Sequence, residues 1–240
     1  MSKWLKRLAI VSVLVFPLAV IAARTGLINL KIAMLSVAIG LLIALLVFLV
    51  SMFMSLKYKN SNPLSAKTAR NAMLLCLIPI IGIGSVMVSG RDVPQIHNIS
   101  TDVSDPPQFY KIKEIRTDQD NPLEYDSAIL AEVQQAAYPN VKTLLVNTNR
   151  NEALDRAARA AEKLGWDIVN NNSELAIIEA SSTSRLWGFV DDIVIRVRGN
   201  QADNQTAIDL RSVSRVGRSD MGANAKRIEA FIESYNSDLE

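Results

Sequence analysis

Not one acidic residue precedes Asp92 in this chain of 240 residues. Up to that point the sequence is dominated by three apolar stretches, about 5–23, 32–54 and 72–89, in which Lys6 and Arg7 are the only charges. A hydrocarbon core about 30 Å thick needs about 20 helical residues at ~1.5 Å each. The middle stretch therefore spans it comfortably and the outer two just suffice. A helix apolar on every side for this length has no natural place in a soluble domain, so a three-helix transmembrane region over 1–90 is predicted. No charged residue lies between Leu8 and Ala23, Ile32 and Met54, or Ala72 and Ser89 to mark an ion or proton path. Pro79, Gly82 and Gly84 predict a bent or thinned third span that seats a neighbouring helix closely. Cys76, the only cysteine, reads as packing inside that span.

The flanking charges predict a direction. Lys3, Lys6 and Arg7 precede the first span, and Lys57, Lys59, Lys67 and Arg70 lie between the second and third; Arg24, Lys31 and Arg91 flank the opposite ends. Cytoplasmic loops carry the excess of Lys and Arg. The N-terminus and the loop 55–71 are accordingly expected in the cytoplasm, and everything after the third span on the periplasmic side of a bacterial inner membrane. A cleaved signal peptide over the first run is the rival reading, and it delivers the C-terminal half to the same side.

Residues 1–90 carry nine basic residues and a charge of +9, whereas the remainder, with 17 basic and 24 acidic residues, carries −7. The pI of 8.7 averages these unlike parts and implies no nucleic-acid partner. From 91 to 125 the chain is rich in Pro, Asp, Ser and Asn, which predicts an extended tether. A soluble domain is expected over 126–240. Asp126 or Ser127 caps a short helix with Ile129, Leu130 and Val133 on one face, ended at Tyr138-Pro139. Val141–Asn147 is β-like. Arg150–Leu164 places Leu154, Ala157, Ala161 and Leu164 on one helical stripe before Gly165. Strands at 166–169 and 175–181 flank a turn at Asn170-Asn171-Asn172. Strands at 192–198 and 207–211 form a hairpin through a loop from Gly199 to Gln205, with Arg196 opposite Asp209 as an exposed cross-strand pair. A last helix from Asp220 to Tyr235 buries Ala225, Ile228, Phe231, Ile232 and Tyr235, with Ser219 or Asp220 as cap. The predicted fold class is an N-terminal three-helix transmembrane region followed by an α+β domain, a mainly antiparallel sheet with helices packed on one face.

Two segments carry a family resemblance. The first is Arg185-Leu186-Trp187-Gly188-Phe189-Val190-Asp191-Asp192-Ile193-Val194-Ile195-Arg196. The second is the block from Ile208 to Ile228, which contains Arg211-Ser212-Val213-Ser214-Arg215-Val216-Gly217-Arg218-Ser219-Asp220. Together with the stretch from Ile96 to Asp102 and Asp105-Pro106-Pro107, they resemble the domain of unknown function 1499 family over residues 96–235. The resemblance implies a membrane-associated or secreted bacterial-type protein and brings no reaction or catalytic residues with it.

Four groups of residues are candidates for chemistry. His97 is the sole histidine and lacks the His or Cys companions of a transition-metal site. Asp191 and Asp192 are adjacent on a strand and point to opposite faces, so they do not form a carboxylate pair for acid-base work; either could instead bind an Arg or a backbone amide. Arg196, Arg211, Arg215 and Arg218 form a basic group leading toward a helix start, which predicts either cross-strand ion pairing or an anion-binding face for phosphate-bearing lipid. Ser212, Ser214 and Ser219 have no neighbouring base, and no Gly-rich phosphate loop occurs. No metal or cofactor is expected. The expected function is non-enzymatic, with a binding domain held at the outer face of the membrane for an anionic lipid or another envelope protein. The alternative is a hydrolase or transferase using Asp191 or Asp192, Arg211 and Arg215 on a phosphate-bearing substrate.

Overall fold

A computed structural model describes residues 2–199 and 205–237. The chain divides into two compact units, Met1–Asp92 with Arg185–Gly188, and Val93–Ser184 with Phe189–Glu240.

The first unit holds helices α1 (Ser2–Arg24), α2 (Leu30–Lys57) and α3 (Pro63–Ser89), all long and apolar enough to cross a membrane. Each begins earlier than its apolar run. In α3 the reason is local: the Asn62 side chain accepts from Ser65 N and Pro63 occupies the first turn, so Lys67 and Arg70 fall inside the helix. The helices meet through Leu5 and Ala9 of α1, Ala44, Val47 and Met54 of α2, and Ala69, Ala72 and Cys76 of α3. This packing sets the start of α1 beside the α2–α3 turn. Close approach between helices occurs at Gly40, where an added Cβ would stand 2.9 Å from Val15 Cγ1. It does not occur at Gly82 or Gly84, around which an added Cβ would meet nothing within 4 Å.

In the second unit a six-stranded antiparallel sheet runs β1 (Asn98–Ser100), β6 (Thr206–Ser214), β5 (Val190–Gly199), β4 (Ile177–Thr183), β3 (Asp167–Asn172), with β2 (Leu144–Val146) also pairing with β6. One face carries α6 (Arg150–Lys163) and α7 (Ala223–Ser237) over a core that includes Ala157, Ala161, Ile193, Ile195, Leu210, Ile228 and Phe231. Asn149 caps α6 by accepting from Glu152 N, and Gly165, at φ +72, ends it. The Trp166 ring stacks on Phe231 with centroids 5.6 Å apart. The other face is covered by residues 101–125, a strap containing the one-turn helix α4 (Ile112–Ile115). Phe109 and Ile112 of the strap pack on Ile177, Val194 and Val213.

Several local expectations change. The segment read as a tether contributes β1 and α4. The three asparagines lie in β3, and the turn falls at residues 173–176. Here Asn170 Nδ2 donates to Glu179 and Asn172 Oδ1 accepts from Leu175 N, so their side chains serve the hairpin from within the strand. In α5 (Ser127–Ala137), capped by Asp126, Ile129 and Val133 are exposed and Gln134 is the buried residue. Gln134 Oε1 accepts from Ser100 N at 2.9 Å and its Nε2 donates to Ser100 O at 2.7 Å. The side-chain amide thus takes the place of a further strand beside β1, which draws that side of α5 inward. The β5–β6 ladder reaches Gly199 opposite Thr206; residues 200–204 of the expected connecting loop lie outside the described residues.

Gly40→Leu should push α1 from α2. Overpacking of this kind typically costs about 1–3 kcal/mol, and a lowered unfolding temperature of the detergent-solubilised protein would register it, with Gly84→Leu unchanged as the comparison.

Candidate functional site

Alternation along the central strands sends every second side chain of β4, β5 and β6 toward the strap, and several of these are charged. Asp209, fully buried, accepts from Arg196 Nη2 at 3.0 Å, Arg198 Nε at 2.7 Å and the Thr143 hydroxyl at 2.7 Å. Arg196 extends from there into the strap, to Asp105 at 2.8 Å and Asp102 at 3.3 Å. The expected register is present, but the pair is enclosed rather than exposed, because the strap closes over it.

Asp192, also fully buried, accepts from Arg215 Nη2 at 2.8 Å and from the Ser181 hydroxyl at 2.7 Å. Arg116 Nη1 of the strap lies 3.1 Å from the same carboxylate, at an angle that makes the contact ionic rather than a directed hydrogen bond. Arg211, 1% exposed, donates to Asn98 Oδ1 at 3.0 Å, to Pro107 O at 3.1 Å and to Leu123 O. Its guanidinium lies between the Phe109 and Tyr125 rings, 5.5 and 5.7 Å from their centroids. Glu179, fully buried, accepts from the amides of Tyr110 (2.7 Å), Lys111 (2.8 Å) and Ile112 (3.2 Å).

Burial pulls the Arg211 guanidinium down to about 10 and pushes the Tyr125 hydroxyl up to about 12. Burial also lowers Arg116, against the opposing pull of Asp192. Hydrogen bonds to their carboxylates raise Arg198 and Arg215. At Asp102 burial acts upward, but the amides of Asp105 and Ser104, the Ser104 hydroxyl and Arg198 together hold the carboxyl below its usual range.

The helix-covered face takes Asp191, which accepts from Arg227 Nη2 of α7 at 2.6 Å. Asp191 and Asp192 are thus separated by the sheet, and each binds arginine. Ser212 and Ser214 are buried beside Asn224. The start of α7 already holds a carboxylate: Asp220 accepts from Gly222 N at 2.8 Å and Asn224 N at 2.9 Å, and burial pushes its carboxyl upward. Arg218 is exposed and has no internal partner among the described residues. His97 is half-buried, and its backbone carbonyl accepts from Ser214 N and Asn224 Nδ2. Among the described residues no group of His, Cys, Asp or Glu could hold a metal ion. Ser181 does meet a carboxylate, but both oxygens of Asp192 are already engaged by the guanidiniums of Arg215 and Arg116.

Sequence reasoning did not single out Glu179, Asp102, Asp105, Arg116 or Arg227. Period-two alternation alone would have set Glu179 on the face of Ile177 and Ser181; the identity of its partners depends on where the strap runs.

Three helices long and apolar enough to cross a membrane, followed by an antiparallel sheet with two helices on one face and an ion-clamped strap on the other, define a three-helix region joined to an α+β module. Residues 98–234 match the family described as protein of unknown function (DUF1499). The chain belongs to that family. A search of curated proteins returns no match.

Removing the Asp192 carboxylate strands Arg116 and Arg215. Breaking a buried pair in this way typically costs about 3–5 kcal/mol, so Asp192→Ala should unfold at markedly lower urea. Arg218→Ala should stay within about 0.5 kcal/mol of wild type. A second expectation concerns acid. Because the folded-state pKa of Asp102 lies below its unfolded value, its contribution is present above the unfolded value and is lost as pH falls through the folded one. Stability measured below about pH 4 should therefore fall less steeply in Asp102→Asn than in wild type.

Proposed function

We propose that this is a multi-pass inner-membrane protein that holds a non-enzymatic binding module at the outer face of that membrane. The observation that carries this reading is the charge distribution at the two ends of the helix bundle. Lys3, Lys6 and Arg7 stand at the start of α1, and Lys57, Lys59, Lys67 and Arg70 stand around the α2–α3 turn. Leu5, Met54 and Ala69 belong to one apolar cluster of the bundle, which supports setting these two segments at the same end. Arg24, Lys31 and Arg91 flank the opposite ends. An end with seven cations stays cytoplasmic, and the module then follows α3 on the periplasmic side.

The bilayer is the first partner, and another envelope protein or an anionic lipid is the second. For lipid phosphate the residue best placed is Arg218, since Arg196, Arg211 and Arg215 already hold internal acceptors. A hydrolase or transferase built on Asp191 or Asp192, Arg211 and Arg215 finds less support. Asp191 faces α7, and Arg211 is enclosed by the strap. Asp192, Arg211 and Arg215 do share the strap face, but each already holds internal partners there.

Alkaline phosphatase joined after Glu240 should be active, and a fluorescent protein at the same place dark. The reverse pattern would overturn the orientation. Replacing Lys57, Lys59, Lys67 and Arg70 together with acidic residues should weaken the bias and produce both signals.

A further inference from the structure

A cleft of about 380 Å3 lies between the α4 end of the strap and the β3–β4 turn, within the range of about 300–1,000 Å3 that small-molecule sites occupy. Both walls are fastened to one buried carboxylate. Glu179 accepts from the amides of Tyr110 and Lys111 on the strap side and from Asn170 Nδ2 on the sheet side. The turn is fixed in turn by Asn172 Oδ1, which accepts from Leu175 N. A site so held loses little freedom when it is filled.

Its surface is mixed in a specific way. Tyr110 is 47% exposed and Leu175 50% exposed, and both line the cleft. Around them stand donors. The Lys113 ammonium and Asn172 Nδ2 make no hydrogen bond to the described residues. Among the described residues the Lys111 ammonium is engaged by Glu114 alone, at 3.1 Å in an exposed pair, and exposed pairs of this kind are weak. Against the single Glu114 carboxylate stand the Lys111 and Lys113 ammoniums and the Asn172 amide, so the balance of charge and donors favours a ligand with acceptor oxygens and negative charge. The ring and the leucine select something with a flat C–H face, and the small extent of that apolar surface does not match an acyl chain. A free phosphate ion would use the amines and leave the ring idle.

We propose that this cleft, lined by Tyr110, Lys111, Lys113, Glu114, Asn172 and Leu175, binds an acidic saccharide, with its carboxylate toward Lys113 and Asn172 and its ring face on Tyr110. The inference rests on the reading of this unit as a binding module and supplies its ligand class. Its test does not depend on which side of the membrane the module occupies. The full chain in nanodiscs of phosphatidylcholine is titrated with glucuronate, glucose and inorganic phosphate, with saturation-transfer NMR as the readout. Glucuronate should give a saturable signal roughly tenfold stronger in affinity than glucose, the size expected for one charge-assisted hydrogen bond, and phosphate should not displace it. Lys113→Gln should bring glucuronate to the level of glucose, and Tyr110→Ala should weaken both sugars. Glu179 engages the backbone of Tyr110 and not its ring, so both variants should keep the wild-type unfolding temperature. Binding of glucuronate no stronger than that of glucose, displacement by phosphate at equal concentration, or unchanged affinity in the two folded variants would overturn the proposal.

Discussion

A charge taken out of water costs several kcal/mol unless acceptors or counter-charges travel with it, and the strap-facing side of this sheet buries Asp192, Asp209, Glu179 and Arg211 together. Asp209 takes its hydrogen bonds from Arg196 and Arg198 of β5 and from Thr143, while the other three meet the strap directly. Asp192 needs Arg116; the Asp209 group reaches through Arg196 to Asp102 and Asp105; Arg211 takes the carbonyls of Pro107 and Leu123; Glu179 takes three amides in succession. Every one of these strap partners lies between residues 101 and 125. The apolar contact beneath the strap, Phe109 and Ile112 on Ile177, Val194 and Val213, is small, so position along the sheet is specified mainly by polar partners. Such interactions are directional, and they fix one register where a purely apolar seam would tolerate several.

Much of this architecture was legible in the residues. The three apolar stretches, the α6 stripe ended at Gly165, the stripe on α7 and the Arg196–Asp209 register all follow from periodicity and charge. Three of the misjudged parts share one cause: a polar side chain standing in for backbone. Gln134 pairs with Ser100 as a strand would, which leaves Ile129 and Val133 exposed. Asn170 and Asn172 lie in a strand because their amides bind Glu179 and the turn beyond it. The strap looked like a tether because its prolines exclude long helices, and nothing local reveals that a carboxylate 67 residues further along receives the amide of Ile112. Pattern reasoning sees which face a residue occupies, and long-range hydrogen bonds decide what it meets there.

The basic group illustrates the consequence for function. Four arginines near a helix start looked like one cationic face. In the folded chain Arg196 and Arg215 neutralise buried carboxylates, Arg211 is enclosed by carbonyls and rings, and Arg218 alone is left open to solvent. The helix start they lead toward is occupied by Asp220. Recognition in this module accordingly depends on what the clamped strap presents, such as the edge around Tyr110, more than on the clamping charges themselves.

Native-state hydrogen exchange at the amides of Tyr110, Lys111 and Ile112 tests the clamp most directly. In wild type these three should exchange as slowly as core sheet amides such as Ile193 and Ile195. In Glu179→Gln, where a neutral amide replaces a carboxylate that accepts all three, they should exchange at least about tenfold faster, the effect of losing roughly 1.4 kcal/mol, while the sheet amides keep their protection. Fast exchange of the three in wild type, or exchange indifferent to the substitution, would contradict the view that buried charge holds the strap to the sheet.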